Sequence, residues 1–139
     1  MHIAIPISLI VLASVGTLAH TRQQEEGDPG TEWEAPEDAK AKPNPLPSTA
    51  EVLAEGSALY KKNCEMCHGV TGKGDGPATQ FVKPAPHDIS TPEVQSEMTD
   101  GSIFWKLTVG KKPMPPFGKK LSDNERWALV HYVRSLKVD

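Results

Sequence analysis

The sequence predicts an all-α domain of three to five short helices, joined by long glycine- and proline-rich loops. Apolar residues recur at helical spacing behind capping-box sequences, and no segment alternates polar and apolar residues as a strand does. The chain has 139 residues, of which 37% are hydrophobic and 13 are prolines, so only part of it is expected to form a packed core. The net charge of -3 and the lack of a basic, aromatic-rich patch argue against nucleic-acid binding.

Residues 1–19 differ in character from the rest of the chain. Ile3 to Leu18 is apolar and uncharged, and Thr17 and Ala19 suit cleavage after Ala19, which is typical of a secretory signal peptide. An uncleaved N-terminal anchor is the alternative, although this stretch is shorter than the roughly 20 apolar residues that span a bilayer. A lipid anchor is not expected, because no cysteine lies near residue 20. We therefore expect export to the periplasm, as a free or a membrane-anchored protein.

Residues 20–47 are predicted to form a disordered, acidic and proline-rich linker. Between residues 21 and 47 the chain has seven acidic residues, three basic residues and five prolines. With almost no aliphatic side chains, this segment cannot bury enough apolar surface to fold alone. Trp33 is the exception, and it is either an exposed aromatic residue or an anchor that docks on the domain or a partner. Residues 48–139 are predicted to form the folded domain.

The first helix of the domain has a clear start signal. Ser48 is the predicted N-cap, and Glu51 completes a capping box. The helix is expected to run to about Asn63, with Tyr60 on its buried side. Gly56 costs up to about 1 kcal/mol against alanine in mid-helix. It indicates either a close contact with another helix or a tolerated surface glycine.

The remaining helices follow from the same kinds of signal. A short helix is predicted to begin at Pro92, and another spans about Asp100 to Val109, where Gly110 supplies the expected C-terminal cap. The last helix has a capping box at residues 122–125 and runs to about residue 137. Glycine- and proline-rich loops connect these helices. A domain this small, with so much loop, needs a covalent or cofactor staple to be stable.

Both cysteines lie in one short motif, in which Cys64 and Cys67 are followed directly by His68. A closed zinc site needs four ligands, and the consecutive Cys67 and His68 are poorly placed to bind one ion together. A redox dithiol is expected in a βαβ context, whereas here a helix and a loop flank the motif. Covalent haem accounts for all three residues, because the thiols bond to the porphyrin vinyl groups and the histidine ligates the iron. We therefore predict one covalent haem c, which also supplies the missing core.

The second axial ligand of the iron is predicted to be Met114. Prolines flank it in the sequence "PMPP", and they make a stiff segment that cannot collapse into a helix. Met66 lies inside the attachment turn and cannot readily reach the opposite face of the haem. Met98 and His131 suit ordinary positions in helices. His87 is the most credible histidine, because it lies on a loop.

The motifs "CEMCHG", "GKGDGP" and "PMPPFG" and the last helix "ERWALVHYVRSL" together resemble class I monohaem c-type cytochromes over about residues 48–137. The chain is similar in particular to bacterial periplasmic carriers and to the monohaem cytochrome subunit of alternative complex III. The resemblance implies a cytochrome c fold wrapped around one haem. It implies that the first and last helices cross at Gly56 and Tyr132. It also implies that the Pro77 carbonyl accepts a hydrogen bond from His68 and orients its ring.

Ligation by histidine and methionine fills both axial positions, so the expected function is one-electron transfer, not enzymatic catalysis. The chain would be a carrier, or a carrier subunit, of a bacterial respiratory chain. The alternative is a haem enzyme or gas sensor in which Met114 dissociates. Expected donors are a quinol-oxidising complex or a dehydrogenase, and expected acceptors are a terminal oxidase or reductase.

The resemblance also places several lysines around the exposed haem edge, where a positive rim would steer encounter with an acidic redox partner. The alternative is that they are ordinary solubilising residues. The lysines that bracket Met114 are Lys111, Lys112, Lys119 and Lys120.

Overall fold

The structure, a computed structural model, describes residues 33–136. The predicted signal peptide or anchor and residues 20–32 of the predicted linker lie outside the described residues. The α-helices are α1 (Glu37–Lys40), α2 (Ala50–Asn63), α3 (Glu65–His68), α4 (Asp100–Val109) and α5 (Asp123–Ser135). A 3-10 turn at Thr79–Phe81 and a π-helical segment at Glu93–Glu97 lie between α3 and α4. The predicted all-α architecture is confirmed for residues 33–136, and no helix in this range is long and apolar enough to cross a membrane.

The start of α2 differs from the prediction by one residue. Thr49, not Ser48, is the N-cap, and its side-chain oxygen accepts a hydrogen bond from the Val52 amide at 3.3 Å. The Thr49 carbonyl also accepts from the Leu53 amide at 3.0 Å, the first bond of the helix. Ser48 and Thr49 both suit an N-cap. The prediction chose Ser48 because Glu51 lies three residues after it, and that choice was wrong.

The predicted boundaries of α4 and the predicted start of α5 are confirmed. α4 ends at Val109 and is capped by Gly110, whose φ of 62° lies in the left-handed region that favours glycine. At the start of α5, the Ser122 amide donates to Glu125 Oε2 at 2.7 Å, and the Glu125 amide donates to Ser122 Oγ at 3.3 Å. These two reciprocal bonds form the capping box that the sequence predicted.

The crossing of α2 and α5 is the centre of the fold. A Cβ at Gly56 would lie 2.3 Å from the carbonyl oxygen of Ala128 and 2.9 Å from the Cβ of Tyr132. The close helix contact is therefore confirmed, and the interpretation of a surface glycine is wrong. The buried cluster around this crossing contains Tyr60, Ile103, Leu107, Phe117, Leu121, Trp127, Leu129, Val130 and Val133.

Arg134 on α5 joins the π-helical segment to the start of α4. Its Nε donates to Asp100 Oδ1 at 2.8 Å, and its Nη1 donates to the carbonyl oxygens of Gln95 at 2.9 Å and Val94 at 3.1 Å. The guanidinium thus donates hydrogen bonds to carbonyls of the π-helical segment, which ends too soon to offer them amide partners of its own.

Residues 33–47, the N-terminal strap, pack against the domain, so the prediction of a disordered linker is wrong for this segment. The strap contains α1, and the side chains of Ala35 and Ala39 are buried. Gly101 of α4 permits this contact, because a Cβ there would lie 1.9 Å from the Ala39 carbonyl oxygen. Composition did not indicate this packing, since small residues bring backbones together without burying large apolar side chains.

Polar contacts extend the strap along α5. The Asn44 Nδ2 donates to the Trp127 carbonyl at 3.0 Å, and the Leu46 carbonyl oxygen lies 2.8 Å from Nε2 of His131. One side-chain amide and one backbone carbonyl of the strap are thereby bonded to α5.

Trp33, at the start of the strap, contacts α4. The Lys106 Nζ lies 4.9 Å from the centroid of the Trp33 ring, a distance typical of a cation–π contact. Trp33 therefore docks on the domain, as the anchor interpretation predicted.

Replacing Asn44 with alanine is expected to destabilise the domain by about 1–2 kcal/mol. The substitution removes the bond to the Trp127 carbonyl and the acceptor that receives the Leu46 amide at 3.0 Å. Urea denaturation measures the loss, and Lys42→Ala is the control because Lys42 is an exposed strap residue. Equal midpoints for Asn44→Ala and wild type would contradict a stabilising role for the strap.

Candidate functional site

One turn of helix presents the two cysteines and the histidine. Cys64 ends α2 and precedes α3, and its amide donates to the Tyr60 carbonyl at 2.8 Å. The Cys64 carbonyl then accepts from the Cys67 amide at 3.0 Å and from the His68 amide at 2.8 Å. Both thiols are free and half-buried. The attachment turn, residues 64–68, therefore holds two thiols and an imidazole within a single hydrogen-bonded unit.

Burial sets the protonation states in this turn. It raises the pKa of the Cys64 thiol to about 12, with a further contribution from the neighbouring Cys67. Burial also lowers the pKa of His68, which favours the neutral imidazole. A neutral imidazole has the free electron pair that a metal ion needs. His68 is thus in the protonation state that suits iron ligation.

The glycine-rich segment after His68 folds back over the attachment turn. The Gly74 amide donates to the His68 carbonyl at 2.8 Å, and the Gly76 amide donates to the Cys67 carbonyl at 3.1 Å. A Cβ at Gly76 would lie 2.4 Å from the Met66 carbonyl oxygen, so only glycine permits this approach. The glycines of "GKGDGP" therefore cap the carbonyls at the end of α3 with backbone amides.

The carbonyl that lies next to the His68 ring is that of His87, whereas the sequence predicted that of Pro77. Nδ1 of His68 lies 3.3 Å from the carbonyl oxygen of His87, whereas the Pro77 carbonyl accepts from Gln80 Nε2 at 3.3 Å. The orienting role of Pro77 therefore stays a prediction. The sequence could not indicate His87 for this role, because the acceptor is a backbone carbonyl and its side chain takes no part.

The segment that contains Met114 is closed by a turn within the loop and bonded to α4 just beyond it. The Met114 amide donates to the Lys111 carbonyl at 2.8 Å, and beyond it the Phe117 amide donates to the Leu107 carbonyl at 2.9 Å. A Cβ at Gly110 would lie 2.8 Å from the Met114 carbonyl oxygen, so α4 and this loop are in close contact. Met114 is thereby held in a turn of defined backbone conformation.

The other candidate ligands are engaged elsewhere or face solvent. Met66 is 60% exposed, whereas Met98 is half-buried and packs against the core. His131 contacts the strap carbonyl described above. His87 is exposed, and its contribution near His68 is a backbone carbonyl.

Cys64 and Met114 border the same hydrophobic cluster. Both are half-buried side chains packed against the core around the α2–α5 crossing. Phe104 and Leu136 lie at the edge of the same cluster and are also half-buried. This apolar border between the attachment turn and the methionine loop fits a large apolar macrocycle. The four lysines around Met114 are all exposed, and the Nζ of Lys120 lies 5.6 Å from the centroid of the Phe117 ring.

One residue near the attachment turn has a role that the sequence did not predict. Tyr60 was expected only as a buried residue, yet its hydroxyl donates to the Gly69 carbonyl at 2.7 Å, directly after His68. Burial raises the pKa of Tyr60, so its hydroxyl stays protonated and able to donate. A buried tyrosine needs a polar partner, and that requirement was the available signal.

Comparison with known proteins agrees with this geometry. Residues 51–133 match the family described as cytochrome c oxidase, cbb3-type, subunit III. The cytochrome bc1 complex cytochrome c subunit of Corynebacterium diphtheriae is 31% identical over 86 residues, which are 61% of this chain and 27% of that protein. The chain therefore spans about a quarter of the length of this curated relative.

Solved structures share the fold. A chain of the reducing HAO-like protein complex of Kuenenia stuttgartiensis is 34% identical with a TM-score of 0.59, over 68% of this chain and 47% of that chain. The KustC0563 c-type cytochrome is 32% identical with a TM-score of 0.53, over 60% of this chain and 98% of that chain. Cytochrome cL of Hyphomicrobium denitrificans has a TM-score of 0.50 at 21% identity, over 74% of this chain and 64% of that chain, and shows the shared fold alone.

The family match covers more than half of the chain and includes the attachment turn, α4 and most of the last helix. A c-type cytochrome of almost the same length as the matched region has the same fold. The chain accordingly belongs to the family of c-type cytochrome domains described as cbb3-type cytochrome c oxidase subunit III, and its cofactor is a covalently attached haem c.

Proposed function

We propose that the chain transfers single electrons between redox proteins through a haem iron ligated by His68 and Met114. When bound, the haem supplies reversible one-electron chemistry, taking one electron from a donor and passing one to an acceptor. The chain's residues attach the haem, ligate its iron and exclude water from it. The single observation that carries this proposal is that the attachment turn and the methionine loop border the same apolar cluster.

The chemistry of the ligands favours a carrier over an enzyme. Two protein ligands on the iron would leave no position for oxygen, peroxide or another substrate. A thioether ligand also raises the reduction potential, which suits the later steps of an electron-transfer chain. Burial favours the neutral imidazole of His68, which can bind iron without losing a proton. The thioether of Met114 carries no proton to lose.

A second candidate is a haem enzyme or gas sensor whose methionine ligand dissociates. It is favoured by the likeness to a chain of a reducing HAO-like protein complex, of which this chain covers only 47%. The two candidate functions differ in whether the haem iron of the purified protein has an open coordination position.

Donor and acceptor are proposed as classes of redox protein. The relative from Corynebacterium diphtheriae is a subunit of a cytochrome bc1 complex, which supports a quinol-oxidising complex or a dehydrogenase as the donor. A terminal oxidase or reductase is the proposed acceptor. Attachment of haem c and the apolar N-terminal segment support an exported, periplasmic protein, either cleaved after residue 19 or retained at the membrane.

A redox titration of the purified holoprotein, followed by optical spectroscopy, tests the proposal. We expect a low-spin oxidised form with a methionine-to-iron charge-transfer band, and a single one-electron Nernst transition. The apo protein prepared without haem is the baseline for the spectrum. An oxidised form that is high-spin as isolated would overturn the carrier function and favour the enzyme or sensor.

The lysine rim is expected to steer the encounter with anionic redox partners. Replacing Lys111, Lys112, Lys119 and Lys120 with alanine should slow oxidation of the reduced protein by ferricyanide about tenfold at low salt, because a positive field attracts an anion. A cationic cobalt oxidant should react faster with the same variant. Lys42→Ala, on the strap, is the control. Unchanged rates with both oxidants would identify the four lysines as ordinary solubilising residues.

A further inference from the structure

We propose that Tyr60 is a positioning residue for the proximal ligand: through its carbonyl and its hydroxyl it holds both ends of the attachment turn and fixes the orientation of His68. The inference rests on the proposed ligation of the haem iron by His68. It goes beyond that proposal because it assigns the orientation of the ligand to a residue outside the attachment turn.

Two hydrogen bonds from one residue enclose the turn. The Tyr60 carbonyl accepts from the Cys64 amide at 2.8 Å, at the start of the turn. The Tyr60 hydroxyl donates to the Gly69 carbonyl at 2.7 Å, immediately after its end. Tyr60 is only 1% exposed, so water cannot replace either bond without opening the core. Tyr60 therefore holds the start of the attachment turn through its backbone carbonyl and the residue after the turn through its side-chain hydroxyl.

Gly69, the residue that follows His68, is held by hydrogen bonds on both sides of its Cα. The Gly69 amide donates to the Glu65 carbonyl at 2.9 Å, and the Gly69 carbonyl accepts the Tyr60 hydroxyl. Gly69 has a φ of 77°, and a Cβ there would lie 1.9 Å from Oδ1 of Asp75. The Tyr60 hydroxyl therefore holds the Gly69–Val70 peptide, which is joined to the His68–Gly69 peptide through the Gly69 Cα, so a rotation at Gly69 would change where the imidazole points.

The ring of Tyr60 ties this local bond to the global packing. It lies 5.0 Å, between centroids, from the ring of Tyr132 on α5, with an angle of 49° between the planes. Tyr60 is also part of the buried cluster at the α2–α5 crossing. The rigid helix pair thus sets the position of the hydroxyl, and the hydroxyl sets the Gly69–Val70 peptide. Hydrogen bonds to the ring itself orient many metal-bound histidines, whereas the Tyr60 hydroxyl would act on His68 through the backbone.

Tyr60→Phe tests the inference, because it removes the hydroxyl and leaves the ring. We expect the equilibrium constant for electron exchange with a reference redox dye to change about threefold, since part of the stabilisation from this hydrogen bond depends on the iron oxidation state. We also expect the haem-methyl resonances of the oxidised protein to shift, because their spread reports the plane of the histidine ring. Tyr132→Phe, on the partner ring, is the matched control and should change neither.

The outcomes separate this inference from the proposed function. A wild-type protein without low-spin spectra would mean that the proposed ligation fails. A low-spin wild type whose haem-methyl pattern and electron-exchange constant are unchanged in Tyr60→Phe would overturn the positioning role, even if the variant is less stable. If Tyr60→Phe does not fold, nuclear magnetic resonance of the wild-type protein provides the test. A slowly exchanging Tyr60 hydroxyl proton with a nuclear Overhauser contact to Gly69 supports the bond, and its absence overturns it.

Discussion

Met114→Ala is expected to abolish the methionine-to-iron charge-transfer band and to lower the midpoint potential by on the order of 0.1 V. Axial ligands set haem potentials over a range of about 0.8 V, and loss of the thioether removes the ligand that raises the potential. The low-spin oxidised spectrum should become high-spin, or low-spin with a replacement ligand. The loop that carries Met114 should keep its conformation, because its bonds to α4 are made by the backbone.

Met98→Ala is the matched control for this experiment. Met98 is also half-buried and packed against the same cluster, so its truncation costs a comparable amount of packing. We expect Met98→Ala to lower stability while the charge-transfer band and the potential stay those of wild type. If Met114→Ala kept its band and potential, the proposed ligand would be wrong. If Met98→Ala lost the band, Met98 would be the ligand.

Gly56→Ala is expected to destabilise the domain by about 2–3 kcal/mol and to lower its melting temperature by about 10 °C or more. The added Cβ would lie 2.3 Å from the backbone carbonyl oxygen of Ala128, and a backbone oxygen cannot move aside as a side chain can. The two helices must therefore separate. In an isolated helix the same substitution is stabilising by about 1 kcal/mol, so the expected sign is opposite to the helix propensity.

Ala58→Gly is the control for Gly56→Ala. Ala58 is exposed on the same helix, so the reverse substitution there measures helix propensity alone and should cost about 1 kcal/mol. Thermal denaturation of the holoprotein, followed by circular dichroism, measures both. A Gly56→Ala variant as stable as wild type would show that the crossing of α2 and α5 tolerates a wider spacing.

The attachment chemistry could be predicted from the sequence because it is local. Cys64, Cys67 and His68 lie within one turn, and their residue types state their chemistry without reference to the rest of the fold. The same holds for the capping box at the start of α5 and for the glycine at the end of α4, whose signals lie within a few residues. The ligand Met114 stays a prediction, since it depends on a face of the haem that the sequence does not locate.

The contacts that depend on distant backbone atoms could not be predicted. The strap was predicted to be disordered because its composition is acidic and proline-rich, yet Ala39 fits against Gly101 through backbone proximity. The acceptor for His68 is the carbonyl of His87, and that of Tyr60 is the carbonyl of Gly69. Every residue has a carbonyl, so residue identity does not indicate which one is used.

The sequence by itself determined that this chain is an all-α domain that attaches haem c through one cysteine–histidine turn, because helix caps and the attachment motif are encoded over a few neighbouring residues. Only the tertiary structure decided which groups orient that turn and what covers the outer face of α4 and α5. The physical reason is that hydrogen bonds to backbone carbonyls and close helix contacts depend on where the chain returns, and that is set by the packing of the whole domain.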